Sequence, residues 1–164
     1  MTPPNQVGQS QRQEWMAILA KASLKDLEHV HGRLDQLPRY RWLKTPETGL
    51  TMVRGRAGGT GQVFNLGEMT LTRCVIQLDE RLDDQGRPLT GFGYVGGRSH
   101  RHAELAAFFD ALLQHPDWFD TIVAEVIEPL KIAAQDKRVV QQKQTEATRV
   151  NFFTMARAEI LERS

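Results

Sequence analysis

Eleven of the thirteen glycines fall between Gly49 and Gly97. Glycine costs about 1 kcal/mol per residue in a helix interior relative to alanine, so this middle segment favours strands and turns. Its apolar runs predict strands at 39–43, 50–57, 62–66, 69–82 and 89–95. Thr45-Pro46-Glu47-Thr48-Gly49 and Asp83-Asp84-Gln85-Gly86-Arg87-Pro88 have turn chemistry. Consecutive strands joined by short turns favour an antiparallel meander over parallel βαβ units. The run from Met69 is apolar on both faces, with Met69, Leu71 and Val75 on one and Cys74, Ile76 and Leu78 on the other. That pattern predicts a central strand covered on each side, by helices on one face and by another chain on the second.

Helical periodicity flanks this segment. Residues 1–9 are polar, with Pro3, Pro4 and Gly8, and read as a flexible leader. Ser10 can cap a first helix whose stripe is Trp15, Ile18, Leu19 and Ala22. Ser23 can cap a second, with Leu27, Val30, Leu34 and Leu37, before Pro38 stops it. His29 and His31, two apart, fall on different sides of that helix and read as solvated. After Ser99, Leu105, Phe108, Phe109, Leu112 and Leu113 form a stripe suited to packing on the sheet. Pro116 suits the first turn of a further helix, and Phe119 to Leu130 give it a broad apolar face. From Lys131 the pattern thins into a long helical arm with too little apolar surface to hold itself in place.

The expected fold is therefore α+β. It has an antiparallel sheet of about four or five strands, an N-terminal helical hairpin and C-terminal helices including a long arm. The expected organisation is a leader at 1–9, an α+β domain at 10–130 and a helical arm for partner docking at 131–164. The domain divides into a hairpin at 10–37, a sheet at 39–97 and helices at 100–130.

At 164 residues with 40% hydrophobic and 25% charged residues, the chain can bury one core of its own. A net charge of +1 gives no global pull toward nucleic acid or membrane. Cys74 is the single cysteine, so no internal disulfide, cysteine zinc site or iron–sulfur cluster can form within the chain. It reads as a small buried hydrophobe. With no basic-then-apolar leader and no apolar run of bilayer length, the expected location is the cytoplasm.

Arg54 and Arg56 share a strand face with Leu50 and Met52 and lead into Gly58, Gly59, Thr60 and Gly61, where the backbone can approach another molecule closely. This is not a P-loop, because no Gly-Lys-Ser/Thr follows. With Arg73 and Arg98, these arginines suit phosphate or phosphonate oxygens through their planar forks. They equally suit a subunit interface, where arginine is enriched. Ser99 opens a helix beside His100, Arg101 and His102, a placement that suits anions. His102 and Glu104 are weak candidates for proton transfer, set against structural or interface roles. Asp79, Glu80, Asp83 and Asp84 lack calcium-loop spacing, and no metal site is expected. Phe152 and Phe153 read as partner-docking anchors rather than a ligand platform. No Ser–His–Asp or Cys–His arrangement is supported.

The order of motifs is more specific than any one of them. Glu47-Thr48-Gly49-Leu50, Arg54 through Gly61, Gly67-Glu68-Met69-Thr70-Leu71-Thr72-Arg73, Gly97-Arg98 with His102-Ala103-Glu104, and Arg149-Val150-Asn151-Phe152-Phe153-Thr154-Met155 resemble the PhnG family of the phosphonate carbon–phosphorus lyase system. The resemblance implies a required subunit that works with PhnI, PhnH and PhnJ, and transiently with PhnL. Such a complex joins methylphosphonate to C1′ of ATP, releasing adenine and forming ribose 1-methylphosphonate 5-triphosphate. It further implies that PhnI is the nucleosidase and PhnJ the radical enzyme, with no cofactor bound by this chain alone. Two other classes remain open on the residues: a free-standing nucleotide- or phosphate-binding enzyme using the arginine–glycine loop, and a nucleic-acid module on the basic arm. The latter is weakened by the lack of interleaved aromatics and by near-neutral charge.

Overall fold

The computed structural model describes residues 8–56, 61–82 and 86–147. In chain order it contains α1 (Gln9–Lys21), α2 (Leu24–Arg33), β1 (Tyr40–Arg56), β2 (Val63–Leu82), β3 (Pro88–Gly96), α3 (His100–Leu112) and α4 (Pro116–Ile122). A π-helical turn (Val123–Ile127) then leads into α5 (Glu128–Ala147). The fold is α+β and its sheet is antiparallel, in the order β1–β2–β3.

The sheet corrects the expectation of four or five strands: among the described residues there are three. The predicted strands 39–43 and 50–57 belong to β1, and 62–66 and 69–82 belong to β2. The Thr45-to-Gly49 segment does not turn the chain; it is absorbed as a register irregularity between Lys44 and Glu47. Because β1 is an edge strand, Pro46 can lack an N–H without breaking the ladder. Farther along, Val53 pairs with Gly67 and Arg54 with Asn65, which leaves Leu66 as the extra residue of a bulge. Gly67 takes a φ of 149° there, a conformation that suits glycine. The first helix starts two residues early, with Gly8 rather than Ser10 at its cap. Both N-terminal helices rest on α3.

α3 lies across β2 and β3 and closes one face of the sheet. Cys74, Ile76 and Leu78 of β2 and Leu89 and Val95 of β3 are buried beneath it. The approach to β3 is at backbone level. A Cβ at Gly91 would stand 1.9 Å from the Ala107 carbonyl oxygen, and one at Gly93 would stand 2.0 Å from that of Ala103. Ala103, Ala107 and Ala111 are fully buried on the helix side of this contact. Small residues on both elements thus let the helix sit directly on the strand.

Asp110 clamps this packing. It is fully buried on α3, and its carboxylate accepts from Arg12 Nε at 3.2 Å and Nη2 at 2.7 Å. It also accepts from Trp15 Nε1 at 2.8 Å and from the Phe92 backbone N–H at 2.9 Å. The Thr90 carbonyl accepts from Arg12 Nη2 at 3.3 Å and Gln114 Nε2 at 2.9 Å. One carboxylate therefore joins α1 to α3 and caps the outer edge of β3, where unpaired strand groups would otherwise invite another strand.

On the second face of the sheet, within this chain alone, Leu71 and Val75 are half-buried, and Met69 and Tyr94 are exposed. The long C-terminal helix starts in the core with Leu130 buried, then leaves Ile132, Val139 and Val140 exposed.

Gly93→Ala is expected to lower the free energy of unfolding by about 3 kcal/mol or more, since helix backbone would have to move. Gly32→Ala in α2, where an added Cβ meets nothing within 4 Å, should be neutral or stabilising by up to about 1 kcal/mol. Urea unfolding of both variants measures the contrast, and equal effects would contradict the close-approach account.

Candidate functional site

Three of the family-like motifs, Glu47 to Leu50, Gly67 to Arg73 and Gly97 to Glu104, meet where the middle of β1 and β2 approaches the start of α3, whereas Arg149 to Met155 lies outside the described residues. Glu47 pairs across the ladder with Arg73, and Thr48 with Thr72. The Glu47 carboxylate takes Arg73 Nε at 2.5 Å and Lys44 Nζ at 3.1 Å. The Arg73 and Lys44 hydrogen bonds hold Glu47 below its usual range. Arg73 is thus engaged within the sheet, on the face away from the helices.

A directed chain of hydrogen bonds runs on the opposite face. The buried Thr72 hydroxyl donates to the Gly97 carbonyl at 2.7 Å, so its oxygen must accept from Thr48, 2.8 Å away. Thr48 has then used its only proton and accepts from His100 Nε2 at 3.2 Å. This order places a proton on Nε2 of His100. The Gly97 φ of 103° turns the chain from β3 toward Ser99, which caps α3 by accepting from the His102 N–H at 3.3 Å. Arg98 is exposed beside this cap.

The two weak candidates for proton transfer are both engaged. His102 is buried, and its Nε2 donates to the Leu19 carbonyl at 2.9 Å, which ties α3 to the end of α1. Glu104 accepts from the Tyr40 hydroxyl at 2.6 Å and from Arg101 Nη1 at 2.8 Å. Burial raises the Glu104 pKa, but the Tyr40 and Arg101 hydrogen bonds outweigh it and hold the carboxylate below its usual range. Burial and the Glu104 carboxylate push Tyr40 up to about 12. His31 was expected to be solvated. It is half-buried, with its ring 5.6 Å from that of Phe108, while His29 is exposed. Burial and then Arg101 lower the His31 pKa.

Arg54 and Arg56 stand apart from this cluster, exposed toward the end of β1, and neither has an ion pair among the described residues. Gly61 is described; Gly58, Gly59, Thr60, Phe152 and Phe153 lie outside the described residues. Cys74 is buried, and burial pushes its thiol up to about 11, away from reactivity. Among the described residues no group of three or more His, Cys, Asp or Glu is placed to hold a metal ion, and no helix is long and apolar enough to cross a membrane. A groove of about 580 Å³ separates α1 from α5, lined in part by Ile18, Ala22, Leu130 and Ala134.

Sequence reasoning missed Tyr40, Arg12 and Asp110. For Asp110 a signal was present: an acid inside the apolar run Leu105 to Leu113 implies a buried partner.

These motifs belong to an α+β scaffold whose described polar clusters tie β1, β2 and α3 together. The model of the family described as phosphonate metabolism protein PhnG matches residues 10–158. A relative from Rhizobium meliloti (strain 1021), alpha-D-ribose 1-methylphosphonate 5-triphosphate synthase subunit PhnG, is 39% identical over 155 residues, which cover 93% of this chain and 92% of the relative. The chain belongs to the PhnG family.

Because the folded-state pKa of Glu104 is depressed, its stabilisation is present above the unfolded value near 4.5 and is lost as pH falls through the folded value. Glu104→Gln should be less stable than the parent at pH 7 by about 1–2 kcal/mol, the scale of hydrogen bonds to a charged group. The gap should narrow below pH about 4.5. Urea midpoints across that range check it; a pH-independent gap would contradict the assignment.

Proposed function

We propose that this chain is the PhnG subunit of a ribose 1-methylphosphonate 5-triphosphate synthase in phosphonate catabolism, acting within an assembly of PhnI, PhnH and PhnJ, with PhnL joining transiently. The carrying observation is the PhnG family match across residues 10–158, together with a relative named as a subunit of that synthase. In the reaction a phosphonate oxygen bonds to C1′ of ATP as the bond from C1′ to adenine breaks. Adenine leaves and the triphosphate stays on the 5-position.

The role proposed for this chain is accessory. Glu104 and His102 are committed to internal hydrogen bonds, which suits positioning better than proton transfer. Arg54, Arg56 and Arg98, with the loop containing Gly58, Gly59, Thr60 and Gly61, are the residues proposed to meet phosphate groups or a neighbouring subunit. Arg73, already paired with Glu47, would join them from the sheet. Phe152 and Phe153 are proposed as docking anchors. A free-standing phosphate-binding enzyme is the less favoured reading, since the family match and the relative both point to a complex subunit, and Arg54 and Arg56 are exposed among the described residues.

The test is adenine release from ATP and methylphosphonate by the purified partner subunits with and without this chain. The chain alone should release none, and omitting it should abolish release by the rest. Arg56→Ala should lower release roughly tenfold or more if a charge-assisted contact is lost. Subunit composition measured on the same preparation separates a phosphate contact, with the complex intact, from an interface contact, with the complex broken. Full activity in an intact variant complex would remove Arg56 from the functional set.

A further inference from the structure

The ladder between β1 and β2 continues well past the end of β3. The last β2–β3 pair is Leu71 with Gly96, whereas β1 and β2 go on pairing from Leu50–Thr70 to Arg56–Val63. Residues 50–56 and 63–70 therefore form a two-stranded ribbon with no third strand on either edge among the described residues. None of its residues is buried. A two-stranded hairpin is at best marginally stable in water without further cover.

The ribbon is nonetheless rich in large apolar side chains, and they point both ways. Leu50 (66% exposed) and Met52 (48%) share a face with Arg54 and Arg56, and Val63 pairs with Arg56 on that face. The other face carries Phe64 (46% exposed), Met69 and the bulged Leu66 (61%), whose side chain lies over Gly55. Soluble monomers rarely leave so continuous an apolar surface open. Here it surrounds the ribbon instead of forming one patch.

Charge selects the occupant. The ribbon carries Arg54 and Arg56 and, as its only acid, Glu68. Two copies packed through it would set four guanidiniums against two carboxylates, which disfavours self-association. We propose that this ribbon inserts into a cleft of a different protein subunit, apolar on both walls and bearing carboxylates where Arg54 and Arg56 enter. The proposal rests on the subunit reading above and gives the ribbon arginines an interface role.

Hydrogen exchange read by mass spectrometry, on the full chain alone and in the purified complex with the other synthase subunits, tests it. Amides of 50–56 and 63–70 should exchange at least roughly tenfold more slowly in the complex than in the free chain. Met52→Asp on one face and Phe64→Asp on the other should each weaken assembly by roughly tenfold or more, as should Arg54→Glu with Arg56→Glu. All three variants should leave the free chain's melting temperature close to the parent's, because they lie outside the buried core. An intact complex with an unprotected ribbon would overturn the insertion while leaving the subunit reading in place. Failure of the parent chain to enter any complex would overturn both. Weakening by only one of the two aspartate variants would show one-sided docking and refute a cleft. No effect of the arginine reversals would refute the carboxylates. Ribbon protection in a homodimer, or in the free chain on adding ATP or inorganic phosphate, would assign the surface to a second copy or to a small anion instead.

Discussion

The fold depends on α3 lying against the bare backbone of β3. Gly91 and Gly93 leave room for the Ala107 and Ala103 carbonyl oxygens, at distances that a Cβ would close to 1.9 and 2.0 Å. That proximity brings Asp110 within 2.9 Å of the Phe92 N–H and lets Arg12 and Trp15 reach the same carboxylate from α1. A buried carboxylate is costly unless its lone pairs are filled, and here they are filled from two other elements. Displacing the helix or α1 would strand the charge. The same interaction engages the Phe92 N–H on the outer edge of β3, beside the Thr90 carbonyl held by Arg12 and Gln114.

The consequence is a molecule with two unlike sides. Beneath α3 the sheet is buried and closely packed. On the far face Leu71, Val75 and Tyr94 are half-buried or exposed, and that apolar surface runs on into the ribbon. The Glu47–Arg73–Lys44 cluster lies on the far face, and the clusters His100–Thr48–Thr72–Gly97 and Tyr40–Glu104–Arg101 join the strands to the start of α3. Their satisfied hydrogen bonds fix strand register and helix placement. A packed scaffold with an exposed ribbon suits the subunit role proposed for this member of the PhnG family.

What could be read from the chain was what local chemistry decides. The Ser99 cap, the apolar stripe of α3, Pro116 in the first turn of α4 and the shared face of Arg54 and Arg56 all follow from short-range rules. Strand number did not, because Pro46 and Gly67 carry turn and bulge chemistry alike. Only pairing with a neighbouring strand decides between a turn and an irregularity within one strand. The one-sided cover of β2 was hidden for a related reason: apolar residues on both faces signal burial without saying which chain supplies it. Asp110 was the least accessible to local rules, with partners 98 and 95 residues away. Among the candidate site residues, His102 and Glu104 were located near the start of α3, but their engagement by Leu19 and Tyr40 depends on tertiary contacts.

The central claim is that the Asp110 carboxylate binds α1, α3 and β3 into one cooperative unit. A double-mutant cycle of Arg12→Ala and Asp110→Ala, measured by urea unfolding of the full chain, tests it most directly. The account predicts a coupling energy of at least about 1 kcal/mol, with the double variant less destabilised than the sum of the single ones. Additive effects, with coupling near zero, would contradict it.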